Sequence, residues 1–161
     1  MEIREFNNED LQDLYRLINE FQDYLVSIDD TNQLISFVDG GKEYSDLCLE
    51  RIKKENGKIF VAIEKGNVVG FIAGVVSPFD RLDVINENKS TFGRIIELFI
   101  TKNNRRNGIG KKLVERIEEY LKSKNCEVIE LGVIAPNKDA YAVYKHLGYT
   151  DRAIDLRKIV R

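Results

Sequence analysis

Apolar and polar positions change rhythm several times along this chain, and each change marks an element. Residues 2–6 alternate, which predicts a first strand, and Asn7 or Asn8 can cap the helix that follows. Leu11, Leu14, Tyr15, Ile18, Phe21 and Leu25 then recur at helical spacing as one apolar stripe. Residues 27–41 are polar and predict a loop. Tyr44, Leu47, Cys48 and Ile52 give a second amphipathic helix that ends near Gly57. Residues 58–64 and 68–76 read as strands joined at Gly66-Asn67, a hairpin signal. Residues 77–93 hold Pro78 and many polar side chains and predict a long loop, a feature that tends to be functional or disordered in compact domains. From Ile95 to Ile100 the run is apolar except at Glu97, the pattern of a buried strand. Ile109, Leu113, Ile117, Tyr120 and Leu121 form the stripe of a central helix. A second apolar run over 128–135 predicts another strand, and residues 139–147 a short helix stopped by Gly148. Residues 149–160 read as a final strand or pair of strands. The sum is one mixed α/β domain spanning residues 1–161.

Between the Ile95–Ile100 run and the central helix lies Arg105-Arg106-Asn107-Gly108-Ile109-Gly110. Glycines there let the backbone approach a ligand, and a helix start presents unpaired N–H groups and a positive dipole end to an anion. The chain has no Gly-x-x-x-x-Gly-Lys-Ser/Thr run, so a P-loop is excluded. A dinucleotide fingerprint needs a further glycine where Leu113 stands. By itself the remaining Arg-x-x-Gly-x-Gly pattern is open between an ordinary strand-to-helix turn and a phosphate cradle.

Downstream, Asn137, Ala140, Tyr144, Gly148 and Tyr149 stand at the spacing Asn-x-x-Ala-x-x-x-Tyr-x-x-x-Gly-Tyr. Together with Arg105, Gly108 and Gly110 they resemble the two motifs of the GNAT superfamily of acyl-CoA-dependent N-acetyltransferases. The resemblance is carried by residues 92–149 and fades to fold-level expectation in the first 57 residues. It implies a single GNAT-like domain with a central, mixed, mostly antiparallel sheet of about six to seven strands and about four flanking helices. The acceptor side would lie mainly in residues 1–57 and 77–93, and the acetyl-CoA side mainly in 94–149. Acetyl-CoA is implied as co-substrate, and no metal. Backbone N–H groups around Leu98, Phe99 and Ile100 would hold the thioester carbonyl and pantetheine. The turn of Arg106, Asn107, Gly108, Ile109, Gly110 and Lys111, headed by Arg105, would hold the pyrophosphate. Asn137 and Ala140 would also touch the cofactor.

Two residues stand out for chemistry. Glu97 is either a paired or partly exposed carboxylate or a general base whose burial raises its pKa. Many family members carry an acid on this strand, acting directly or through water. Strand alternation places Glu97 on the face of Ile95 and Phe99. Tyr144 shares a helical stripe with Ala140, Val143 and Leu147, and spacing alone makes it a core residue. By resemblance it instead protonates the departing thiolate, while Tyr141 falls outside the motif position. Asn137 can cap the last helix as well as reach the cofactor. His146, the only histidine, falls on the polar side near a helix end.

Composition narrows the class further. With 161 residues, 43% hydrophobic and 32% charged, the chain is long enough for a core and is not of a disordered type. A net charge of −2 gives no basic field for nucleic acid or a membrane surface. Met1-Glu2-Ile3-Arg4 lacks the blocks of a signal peptide, which suggests a cytoplasmic protein. Cys48 and Cys126 are too few for a disulfide framework or a zinc site. Glu20, Asp23, Asp29, Asp30, Asp39, Glu43, Asp80, Asp83 and Glu87 fall in the acceptor regions, either as a solvated acidic face or as a site for a cationic amine. Tyr24, Phe37, Tyr44 and Phe79 could wall that pocket or join the core. The expectation is an N-acetyltransferase that moves the acetyl group of acetyl-CoA to a primary amine of a small molecule by direct attack in a ternary complex. The alternatives are a protein or peptide N-acetyltransferase and a non-catalytic acyl-CoA-binding sensor, which would need neither Glu97 nor Tyr144. A homodimer is compatible with the sequence.

Overall fold

A computed structural model describes residues 1–78 and 91–160. One sheet runs in the order β1 (Glu2–Glu5), β2 (Lys58–Glu64), β3 (Asn67–Pro78), β4 (Thr91–Ile100) and β5 (Val128–Leu131). Neighbours are antiparallel as far as β4, and β4 and β5 run parallel. Parallel neighbours need a long crossover, here α3 (Ile109–Ser123). Its stripe of Ile109, Leu113, Val114, Ile117 and Leu121 buries against Phe60, Ile72 and Ile95 on one face of the sheet. Gly74 makes that approach possible, because a Cβ there would stand 2.7 Å from Ile117 Cγ1. α4 (Lys138–His146) adds Tyr144 to the same core. The other face is covered by α1 (Leu11–Ile28) and α2 (Lys42–Lys54), with Leu14, Leu17, Ile18 and Ile52 packed on Ile59, Val61, Phe71 and Phe99.

The start of α1 is tied to β1. Arg4 grips both oxygens of Asp10 at 2.7 and 2.8 Å, and Asp10 also accepts from the Asn7 N–H at 2.9 Å. The Arg4 hydrogen bond holds the buried Asp10 carboxyl below its usual pKa.

Four expectations need correction. The sheet has five strands among the described residues, not six to seven. Residues 149–160 run without helix or strand: apolar and charged positions alternate there, but no edge among the described residues pairs with that backbone, and Ile154 and Leu156 are 83% and 92% exposed. The loop expected over 77–93 is shorter at both ends, since Ser77 pairs with Phe92 and Pro78 with Thr91. Phe79, Asp80, Asp83 and Glu87 lie outside the described residues.

The fourth correction concerns the face of Glu97. Ala73 pairs with Glu97 but Gly74 pairs with Ile95, so Ile96 is an extra residue in β4. Such a bulge resets the alternation. Ile95 points into the α3 core, while Ile96, Glu97 and Phe99 turn toward α1 and α2, and Leu98 and Ile100 return to the α3 side. Glu97 therefore shares a face with Phe99 but not with Ile95. Among the described residues no helix is long and apolar enough to cross a membrane.

Candidate active site

β4 and β5 pair only from Phe92↔Val128 to Ile95↔Leu131. Past Ile95, at the bulge, β4 continues to Ile100 without β5 beside it. The parted strands open a cleft of about 220 Å³. Ile95 to Leu98 form one wall and Leu131 to Ile134 the other, Phe21 and Leu25 of α1 close one side, and Asn137, Ala140 and Tyr144 of α4 close another. On the parted edge, β4 has no strand partner among the described residues.

Glu97 lies in this cleft, half-buried. Its Oε1 accepts a short hydrogen bond from the Tyr44 hydroxyl of α2. Burial pushes its carboxyl up to about 7, against the Tyr44 hydrogen bond and the charge of Arg51, which both favour ionisation. Cys48, one turn along α2 from Tyr44, is a free thiol pushed up to about 11 by burial and then by the Glu97 charge. A carboxyl that titrates near neutrality in a cleft has the property a general base requires.

Tyr144 enters the same cleft from α4 and is 9% exposed. Its ring meets Tyr149 edge-on with centroids 5.6 Å apart. Burial first, and the charge of Glu97 second, hold its hydroxyl well above the usual phenol range, so it stays protonated. Tyr141 turns outward to the Asp151 carboxylate at 3.0 Å, and His146 is exposed. Val143, expected on the Tyr144 stripe, is also exposed.

The glycine turn leaves β4 through a short 3-10 segment and enters α3 at Gly108, whose φ of +75° is the left-handed conformation that glycine tolerates best. The first helical bond is Lys112 N–H to Gly108 O at 3.2 Å, so the N–H groups just ahead of it lie outside the helical ladder. Nothing stands within 4 Å of where a Gly108 Cβ would be. Arg106, Asn107 and Lys111 are exposed around this turn. Arg105 points elsewhere: its Nε donates to Ile100 O at 3.0 Å, and its guanidinium lies over the rings of Tyr24 (4.7 Å) and Phe99 (5.6 Å).

Asn137 caps α4, its Oδ1 accepting from Ala140 N–H at 3.3 Å and from the Tyr24 hydroxyl at 3.2 Å. No acceptor for its amide NH2 is found among the described residues, which leaves that group available in the cleft. The acids expected to draw an amine are mostly engaged. Glu20 pairs with Arg16, and Asp23 accepts from Asn19. Asp29 holds the amides of Thr31, Gln33 and Leu34, and Asp39 those of Gly41 and Glu43. Among the described acids, Glu97 is the one that lines the cleft. Spacing did not reveal its link to Tyr44, because the two lie 53 residues apart. Phe21 and Leu25, read as plain core positions, also line the cleft. No cluster of three metal-ligating side chains occurs among the described residues.

Residues 4–149 match the sequence model of the acetyltransferase (GNAT) family. An uncharacterized N-acetyltransferase of Archaeoglobus fulgidus is 34% identical over 144 residues, covering 89% of this chain and 89% of that protein. Another from Methanocaldococcus jannaschii is 31% identical over 103 residues, 64% of this chain but only 43% of that longer protein. Among solved structures, the tetramutant of a Bacillus halodurans protein superposes with a TM-score of 0.84 at 20% identity, covering 99% of this chain and 100% of that one. An aminoglycoside N-acetyltransferase in complex with CoA superposes at 0.66 and 18% identity, covering 99% and 100%. At these identities the two structures speak for the fold alone.

Proposed function

The chain belongs to the GNAT family of acetyltransferases, and on that premise we propose that it transfers the acetyl group of acetyl-CoA to a primary amine of a small molecule. The observation that carries this reading is that Glu97 and Tyr144 both line the cleft where β4 and β5 part. One is a carboxyl that titrates near neutrality, the other a phenol that keeps its proton.

The residues fit the cofactor. The exposed turn with its open Gly108 leaves room for a phosphate against backbone N–H groups. The unpaired edge of β4 around Leu98 to Ile100 offers amides to pantetheine, and Asn137 offers its NH2. Acetyl-CoA would supply the acetyl thioester. Glu97 accepts the proton of the bound ammonium, which frees the nitrogen lone pair for attack on the carbonyl carbon. Amides on the β4 edge stabilise the carbonyl oxygen as it gains charge. Tyr144 gives its proton to sulfur as the carbon–sulfur bond breaks; the acylated nitrogen sheds its remaining extra proton, which restores Tyr144 through solvent, and Glu97 releases the proton it took to solvent. The products are the N-acetyl amine and free CoA, in a single domain of the cytoplasm.

The test is thiol release from acetyl-CoA against a panel of polyamines, aminoglycosides, amino acids and peptides. Release that depends on a small amine is the expected result. Release with peptides alone would give the acceptor a different class. Cofactor binding with no release from any acceptor would make the chain a sensor.

A further inference from the structure

One face of α2 carries Tyr44, Cys48 and Arg51, and it looks onto β4 at Glu97. Tyr44 donates its hydroxyl to Glu97 Oε1. Phe37 tilts against the Tyr44 ring with centroids 5.2 Å apart and fixes the ring in that place. Oε2 of Glu97 has no donor among the described residues. Resting on the reading of Glu97 as the base, we propose that Tyr44 is its positioning residue, anchoring one carboxylate oxygen so that the other meets the acceptor's ammonium proton.

The argument is one of geometry and charge. The last torsion of a glutamate is broad, so an unanchored carboxylate in an open cleft points many ways. A single charge-assisted hydrogen bond removes most of that freedom. Tyr44 remains a donor throughout the working range, because burial and the Glu97 charge hold its hydroxyl well above the usual phenol range. Its bond favours the ionised carboxyl and so opposes the burial that raises Glu97. Of the other groups facing Glu97, Arg51 also favours ionisation; Cys48 of α2 and Tyr144 of α4 feel its charge and stay neutral.

The test compares wild type with Tyr44→Phe, which keeps the ring on Phe37. The Glu97 carboxyl is titrated by carbon NMR, its signal identified by loss in Glu97→Gln, and kcat/KM for the amine is followed against pH. The expected result is that the carboxyl midpoint and the acidic limb of kcat/KM both rise by about one pH unit, the scale of one charge-assisted hydrogen bond. Acetyl-CoA affinity should stay unchanged. If neither midpoint nor limb moves, Tyr44 is only a wall and the proposal fails. If the midpoint moves and the limb does not, Tyr44 holds Glu97 but Glu97 is not the base, and the assigned role falls with it. Should Tyr44→Phe not fold, the wild type still decides. The ring-carbon signal of Tyr44 bearing the hydroxyl must titrate with Glu97 near pH 7, and a flat signal would overturn the pairing.

Discussion

Ile95 and Glu97 stand two residues apart on one strand and face opposite layers of the molecule. The extra residue, Ile96, turns the strand between them at the point where β5 ceases to follow. One irregularity thus opens the cleft and aims a carboxyl into it. Without the bulge, Glu97 would follow Ile95 into the apolar core under α3, where an unpaired carboxylate is costly.

Replacing Glu97 by Gln tests the base. Turnover should fall by about 10²-fold, the usual scale for loss of a general base, and the deficit should shrink at high pH where the amine loses its proton unaided. Because the base must be ionised, wild-type kcat/KM should rise with pH through about 7. An equal deficit at every pH would mean that Glu97 orients the acceptor instead.

The same group makes a stability prediction of definite sign. The folded pKa of Glu97, about 7, lies above the 4.5 of an ordinary glutamate. The native state therefore holds its proton more tightly than the unfolded one, and this contribution is full below pH 4.5 and lost as pH rises through 7. Glu97→Gln should melt above wild type at pH 8, with the gap closing below pH 4.5. Melting curves at the two pH values decide, and a gap of the same size at both would mean that the substitution acts through packing.

Tyr144→Phe keeps the ring against Tyr149 and removes only the hydroxyl. Turnover should fall while acetyl-CoA affinity and melting temperature stay near wild type. Tyr141→Phe, facing Asp151 on the outside, serves as the control and should be close to neutral. Steady-state kinetics of both variants give the answer. Full activity in Tyr144→Phe would leave Tyr144 a core residue.

Much of this was legible in the sequence because it is local. The stripe from Leu11 to Leu25, the apolar run within residues 58–64 and the stop at Gly148 each depend on neighbours a few positions away. What escaped depends on partners far along the chain. The bulge at Ile96 exists only through the register of β4 on β3, and the Tyr44–Glu97 bond needs α2 laid across that strand. Its place in the sequence groups Arg105 with the phosphate turn, yet aromatic rings from α1 and β4 draw its guanidinium aside. In the tail, Ile154 and Leu156 alternate with charges as a strand would, but alternation does not supply the neighbour that a strand needs.

Asp10→Asn should destabilise the fold by about 1–3 kcal/mol, since it leaves Arg4 without its carboxylate and weakens the cap at Asn7. In wild type the Asp10 pKa is depressed on folding, chiefly by Arg4, so its contribution is present above the ordinary value of 3.8 and is lost as pH falls below it. Urea titrations at pH 7 and pH 3 should therefore show wild type and variant converging at the lower pH. Persistent separation would place the effect in packing.

The phosphate turn is tested at Gly108, where conformation and charge can be separated. Gly108→Ala adds only a methyl group at φ +75°, where no neighbour lies within 4 Å, so any loss reflects backbone strain or a crowded ligand. Gly108→Asp places a carboxylate where a pyrophosphate would sit, and aspartate tolerates the left-handed conformation better than alanine does. If the turn holds phosphate, Asp should weaken acetyl-CoA binding far more than Ala, and raising the salt concentration should recover part of the loss by screening. Calorimetry on the three proteins at two salt concentrations measures this directly. Equal weakening by Ala and Asp, with no effect of salt, would mean that Gly108 serves only the turn. Unchanged affinity in Gly108→Asp would place the phosphates elsewhere on the protein.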